Sequence, residues 1–183
     1  MRKYAFLFVL SMAPAFAGVI APTGWYGFSW GGGGFPATTS GAAVSSTSTP
    51  IVNPGASPWT FSLVNSINFV VVDGYMSGDQ FQVFDSSASL GTSSSVALGS
   101  LACAGGNDPL TCLVDPLYSS GTFLLGPGSH SISITVLNGV DGGGGAWFGF
   151  EAPSGAVPEP ATTALVGLGL LGLAAWRRRS HAK

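Results

Sequence analysis

The chain has 183 residues, enough for one domain with export segments, and only 8% of these residues are charged. All six lysines and arginines lie at the termini, whereas the eight acidic residues lie between them. The central part therefore has no lysine or arginine. This excludes nucleic acid and anionic membrane surfaces as its partners, because contact with phosphate depends on those side chains.

The first predicted element is a secretory signal peptide over residues 1–17. Arg2 and Lys3 give it a positive start, an apolar run too short to span a membrane follows, and an A-x-A cleavage signal ends at Ala17. A buried first helix is the alternative. The order of the parts favours export, which places the rest of the chain outside the cytoplasm.

Residues 18–57 are rich in glycine, serine, threonine and proline, and they predict a partly flexible lead-in. Aromatic residues that include Trp25 and Trp30 interrupt this composition. They either dock onto the domain as a first strand or form an exposed patch for sugars. Trp25, Trp30 and Trp147 are the candidate glycan-binding residues.

Six short β-type runs lie within residues 58–152. They cover residues 59–63, 67–72, 79–85, 121–125, 130–137 and 145–151. Period-two alternation is clearest in the fifth run, where Ile132, Ile134 and Val136 point inward. Short strands separated by turn signals, with no amphipathic helix, predict an all-β fold, an antiparallel β-sandwich or jelly roll.

Two short stretches carry moderately specific resemblances. The stretch 124–132, with a Pro-Gly turn followed by His130, resembles the final hairpin of galactose-binding-like jelly rolls. Asp73, the Gly78-Asp79-Gln80-Phe81 run and the later Leu90-Gly91 resemble an uncharacterised group of secreted proteins. These resemblances imply a β fold and no known activity.

Cys103 and Cys112 are the only cysteines, and a disulfide between them is predicted because an exported protein meets an oxidising compartment. A metal site is the alternative, although two cysteines without a nearby histidine make a poor zinc site. His130 at a strand start is interpreted as structural, and no catalytic residue is predicted.

Calcium is the one cofactor that the residues suggest. Four candidate ligands sit in or beside turns: Asp73, Asp79, Asp108 and Asp115. The alternative is that aspartate is simply a good turn residue, because its side chain bonds the backbone two residues further on.

The C-terminal end contains three parts in a fixed order. A proline-rich linker over residues 153–160 contains Val157-Pro158-Glu159-Pro160, an apolar transmembrane helix is predicted over 161–176, and a basic tail over 177–183 begins with Arg177, Arg178 and Arg179. A 16-residue helix is about 24 Å long, slightly short of the roughly 30 Å hydrocarbon core. The arginine cluster predicts that this end stays in the cytoplasm while residues 18–160 lie outside.

Together these parts resemble the PEP-CTERM sorting domain. The Pro158-Glu159-Pro160 match is literal, although the resemblance covers only about the last 26 residues. It implies a Gram-negative bacterium that makes exopolysaccharide, and processing by an exosortase, a membrane-embedded enzyme similar to a cysteine transpeptidase. The chain is then expected to be anchored transiently and to reach the cell surface or the extracellular matrix. A plain single-pass anchor is the alternative.

Three functions remain open at this point. The first is a non-enzymatic structural or adhesive matrix protein associated with exopolysaccharide. The second is a carbohydrate-binding module, which requires aromatic side chains that are coplanar on one exposed face. The third is a secreted hydrolase, which requires a polar cleft around His130 or clustered aspartates.

Overall fold

The structure is a computed structural model, and it describes residues 17–31, 34–99, 103, 107–139 and 142–153. Residues 1–151 form one compact unit and residues 152–183 a second. The predicted signal-peptide run, sorting motif, transmembrane helix and arginine cluster lie outside the described residues.

Twelve strands form two sheets of six. Sheet A contains β1 (Gly18–Val19), β3 (Ala37–Thr38), β6 (Trp59–Leu63), β8 (Gln80–Asp85), β9 (Ala88–Thr92) and β11 (Gly128–Asn138). Sheet B contains β2 (Trp25–Trp30), β4 (Ser40–Gly41), β5 (Ile51–Val52), β7 (Ile67–Asp73), β10 (Ser120–Leu125) and β12 (Gly144–Glu151). One helix, α1 (Pro109–Val114), lies between β9 and β10.

The order of strands is β1-β6-β11-β8-β9 in sheet A, with β3 also pairing β11. In sheet B the order is β10-β7-β12-β2-β4, with β5 also pairing β2. The pairs β1–β6 and β2–β5 are parallel, and the other pairs are antiparallel. The all-β fold that the alternating runs predict is therefore confirmed.

An aromatic core joins the inner faces of the two sheets. Trp59 and Phe81 of sheet A and Phe28 and Phe148 of sheet B are each fully buried. The ring centroids of Trp59 and Phe148 lie 4.7 Å apart, and those of Phe28 and Phe81 lie 5.5 Å apart. Aromatic pairs at this spacing contribute beyond the area that they bury, so the core itself holds the two sheets face to face.

A second buried cluster covers the outer face of sheet B. Its sheet residues are Trp25, Val70, Val72 and Trp147, and Tyr118 and both cysteines pack against them. Cys103 and Cys112 form a disulfide with Cα atoms 5.3 Å apart, which confirms the predicted pair. Sheet B is thus covered on both faces, whereas the outer face of sheet A is not.

The six predicted strands all appear, with ends within two residues of the prediction, as β6, β7, β8, β10, β11 and β12. The predicted lead-in over residues 18–57 needs correction, because this segment contributes β1 to β5. Its aromatics dock as a strand, since β2 pairs with β12 over six residues. The short helix α1 was not predicted from the sequence.

The resemblance of residues 124–132 to a hairpin is not confirmed either. Leu124 and Leu125 pair with β7 in sheet B, whereas β11 pairs with β6 and β8 in sheet A. The Gly126-Pro127-Gly128 turn therefore carries the chain from one sheet to the other. A two-residue hairpin does connect β8 and β9, where Ser86 and Ser87 both adopt positive φ angles of 49° and 72°.

Candidate functional site

The three tryptophans proposed for glycan binding are buried. Trp147 is fully buried, and Trp25 and Trp30 expose only 8% and 7% of their surface. Trp30 belongs to the core between the sheets, while Trp25 and Trp147 belong to the cluster on the outer face of sheet B. A sugar stacks only on an exposed ring, so the prediction of a tryptophan platform is wrong.

Asp73 is fully buried at the end of β7, and it organises the connection to β8. Its Oδ1 accepts the backbone N–H of Gly74, and its Oδ2 accepts those of Gly78 and Asp79, at 2.8–3.0 Å. Burial, with the nearby Asp79 carboxylate, raises the pKa of Asp73 to about 8, against the opposing effect of these hydrogen bonds. Both carboxylate oxygens of Asp73 therefore stabilise the turn between β7 and β8.

Asp108 has a similar structural role beside α1. Its Oδ1 accepts hydrogen bonds from the hydroxyls of Ser46 and Ser48 and from the N–H of Thr49, at 2.7–2.9 Å. Burial alone would raise the pKa of Asp108, but the bonds from the 46–49 segment outweigh that effect and lower it. The carboxylate therefore fastens this segment to the start of α1.

The four aspartates proposed for calcium do not form one site. Asp73 and Asp79 are neighbours, Asp108 binds the 46–49 segment, and Asp115 accepts the N–H of Leu117 after α1. Within the described ranges, no group of three or more histidine, cysteine, aspartate or glutamate side chains could hold a metal. The hydrogen bonds of Asp73 and Asp115 are those of turn residues, whereas Asp108 joins two segments that are distant in the sequence.

His130 is paired with a carboxylate, which the sequence did not indicate. Its Nδ1 lies 2.7 Å from Oδ2 of Asp85, and its Nε2 lies 2.9 Å from the carbonyl oxygen of Gly126. Its ring stacks on Phe61 with a centroid distance of 5.4 Å. Because both ring nitrogens already have partners, neither is placed to take a proton from a serine, as a hydrolase triad requires.

The outer face of sheet A is an extensive polar surface, here called the hydroxyl face. Cross-strand pairs of β11 with its neighbours build it: Ser129 with Ser62, Ser131 with Thr60, Ser133 with Phe84, and Thr135 with Gln82 and Thr38. Ser89 and Thr92 of β9 extend it. The inward positions of β11 are the buried Ile132, Ile134 and Val136, so alternation sends the hydroxyls outward.

Among the described residues in the strands of sheet A, no charged side chain lies on the hydroxyl face. The charged or titratable residues in the strands of sheet A are Asp85 and His130, and both alternate to the inner side. The Ser62 and Ser129 hydroxyls lie 3.2 Å apart, and the Gln82 amide donates to the Ser89 hydroxyl at 3.2 Å. The alternation that places Ile132, Ile134 and Val136 inward is visible in the sequence, but the partner strands that complete the face depend on the sheet order.

A shallow groove of about 620 Å³ lies where β1 meets this face. Thr60, Ser62, Ser129 and Ser131 contribute to its lining, and Val19, which is 85% exposed, adds an apolar surface. Successive strands lie about 4.8 Å apart and alternate residues of one strand about 6.7 Å apart. The groove offers hydroxyl donors and acceptors beside one apolar edge, and His130, which Asp85 contacts, also lines it.

The fold and this face define a two-sheet β domain with a polar surface formed mainly by hydroxyl groups. A PEP-CTERM protein-sorting motif is found at residues 156–179, which confirms the resemblance of the tail. The motif, which covers residues 156–179 only, supports an exported protein that is sorted by exosortase. Comparisons with curated proteins and with solved structures gave no significant match.

The predicted membrane helix over residues 161–176 lies outside the described part of the chain. Within the described part, the structure contains no helix with the length and apolar character that a membrane span requires.

Proposed function

We propose that the domain is a non-enzymatic structural or adhesive component of the extracellular matrix, which contacts exopolysaccharide through the hydroxyl face. The observation that carries this proposal is the absence of charge on that face, together with its rows of hydroxyl and amide groups. A neutral polysaccharide presents hydroxyls of the same kind, and no ion has to be desolvated when the two surfaces meet.

Phe84 supports the same ligand class. It pairs with Ser133 and Ser89 in the register of sheet A, so that an apolar ring lies among the hydroxyls. Sugar rings combine apolar C–H faces with polar edges, and a surface that mixes the two suits them. This proposal differs from the tryptophan platform, because its affinity is spread over many weak contacts along a flat sheet.

The experiment compares retention of the full chain on the exopolysaccharide of its own cells. Replacing Ser133 and Thr135 with glutamate places two charges at the centre of the face, where they must be desolvated. We expect retention to fall at least tenfold, while the matched variant Thr122→Glu, on exposed β10 of the other sheet, binds as the parent does. Equal loss in both variants, or no retention of the parent, would contradict the proposal.

A further inference from the structure

A second concave site, separate from the hydroxyl face, lies beside α1. This cleft has a volume of about 510 Å³ and is lined by residues 95–99 and 115–118, together with Ser77. Tyr118 is buried there, and its hydroxyl donates to the carbonyl oxygen of Tyr75 at 3.0 Å. The volume lies within the roughly 300–1,000 Å³ that is typical of small-molecule sites.

The cleft and its surroundings are unusually apolar for the surface of this domain. Leu98 and Leu117 line it and are 64% and 60% exposed, and Leu110 and Val114 of the neighbouring α1 are 51% and 79% exposed. Contiguous exposed apolar groups of this kind mark binding sites, because leaving them in water is unfavourable.

The charge of the cleft restricts its occupant. Asp115 is the one charged residue among those that line it, and its Oδ1 accepts the N–H of Leu117 at 3.0 Å. No lysine or arginine occurs between residues 4 and 176. An occupant that brings a positive charge therefore meets a complementary carboxylate, whereas an anionic occupant is repelled.

We propose that this cleft binds a small amphiphile that has an apolar body and a cationic group, in the class of alkylammonium or arylalkylammonium ions. The apolar body packs against Leu98 and Leu117, and the ammonium group faces Asp115. A second copy of this chain fits less well, because its central part carries the same sign of charge. A stable protein interface would also need about 800 Å² on each partner.

The test uses the full chain, with n-octylammonium as the probe and 1-octanol and octanoate as matched neutral and anionic compounds. Methyl NMR spectra report each leucine separately, so that binding elsewhere does not confuse the result. We expect n-octylammonium to shift the methyl signals of Leu98 and Leu117 and to leave Leu124, a 65% exposed leucine on β10, unchanged. Equal shifts at all three leucines, or octanoate binding as tightly as n-octylammonium, would overturn the proposal.

Three variants separate the apolar contribution from the charge. Leu117→Asn should weaken n-octylammonium and 1-octanol alike, by about tenfold, because both lose the apolar contact. Asp115→Asn keeps an oxygen for the Leu117 N–H and should weaken n-octylammonium alone, by about threefold to fivefold. Leu124→Asn should not change the affinity for n-octylammonium or for 1-octanol. If Leu124→Asn weakened binding as much as Leu117→Asn does, the result would count against the cleft as the binding site.

Discussion

At the scale of single residues, the few carboxylates of this domain act on the backbone around them. Asp73 and Asp108 each accept three hydrogen bonds, which come mainly from backbone N–H groups and serine hydroxyls. A domain without lysine or arginine has no conventional salt bridges available. Asp73 and Asp108 are therefore satisfied by neutral donors, and their pKa values depend on the balance between burial and these hydrogen bonds.

The pair of Asp73 and Asp79 gives the first prediction. Burial raises the pKa of Asp73 and the neighbouring Asp79 carboxylate raises it further, so the folded protein holds a proton that the unfolded chain releases near pH 4. Between about pH 4 and pH 8 the folded state binds more protons, and stability should fall as the pH rises. Asp79→Asn removes the like charge and should lower the pKa of Asp73 and flatten that decline.

Carboxyl ¹³C NMR titration of Asp73 and urea unfolding at pH 5 and pH 8 measure the two effects. Asp115→Asn is the matched control, because it removes a carboxylate that lies after α1. A pKa of Asp73 that does not change in Asp79→Asn would show that burial alone determines it.

The ion pair between Asp85 and His130 gives the second prediction, with the opposite sign. Burial would raise the pKa of Asp85, but hydrogen bonds from the Ser131 N–H and from His130 outweigh it and lower the pKa. The stabilisation is therefore present above about pH 4 and is lost as the pH falls through the lowered pKa. Asp85→Asn should cost about 1–2 kcal/mol at pH 7 and clearly less at pH 2.5.

Urea unfolding of the parent and of Asp85→Asn at the two pH values gives the comparison, and His130→Gln with the double variant completes a cycle. The cycle should show that the two substitutions are not additive at pH 7. If Asp85→Asn lowered the free energy of unfolding equally at both pH values, the charge of the Asp85 carboxylate would contribute nothing to this contact.

At the scale of elements, the stability of α1 depends on its contacts with neighbouring segments. Six residues are too few for a stable isolated helix, and α1 has no side-chain N-cap hydrogen bond. Pro109 at its start, the Asp108 contacts and the disulfide at Cys112 compensate for this. The sequence did not predict the helix because six residues are too few to establish a helical period.

Removing the disulfide should therefore release α1 before the sheets. We expect Cys103→Ala with Cys112→Ala to lower the free energy of unfolding by about 2–3 kcal/mol. Hydrogen exchange should show lost protection at residues 110–114, while the central strands β7 and β12 keep theirs. Uniform loss of protection through both sheets would instead mean that the disulfide supports the whole domain.

The strands show which features of the sequence predict structure and which do not. β6 and β11 alternate apolar and polar residues between clear turns, and their bounds were predicted within two residues. The sequence did not decide whether the aromatics of β2 form a strand or an exposed patch. These aromatics lie on both faces of a sheet that is covered on both sides, so the strand shows no alternation of apolar and polar residues. The hydroxyl face and the burial of Trp147 depend on which strands pair, and no local pattern contains that information.

At the scale of the whole molecule, the sorting motif and the β domain occupy different parts of the chain. All the lysine and arginine residues lie at the two ends of the chain, and the PEP-CTERM motif occupies residues 156–179. In the domain between them, the hydroxyl face of sheet A is uncharged, and the acidic residues lie outside that face. A neutral matrix polymer and a small cation are the partners that this distribution of charge favours.

The extent of the domain gives the last prediction. β2 lies between β12 and β4 in sheet B, and its Phe28 packs against Trp59 and Phe81 of the opposite sheet. Deleting residues 18–57 removes this strand and four others, and it removes the Phe28 ring that packs against Trp59, Phe81 and Phe148. We expect the deleted chain to lose its cooperative thermal transition and its near-ultraviolet circular dichroism, whereas a chain that ends at Pro153 keeps both. If the deleted chain still melted within a few degrees of the parent, residues 18–57 would be a dispensable lead-in after all, and the domain would begin at β6.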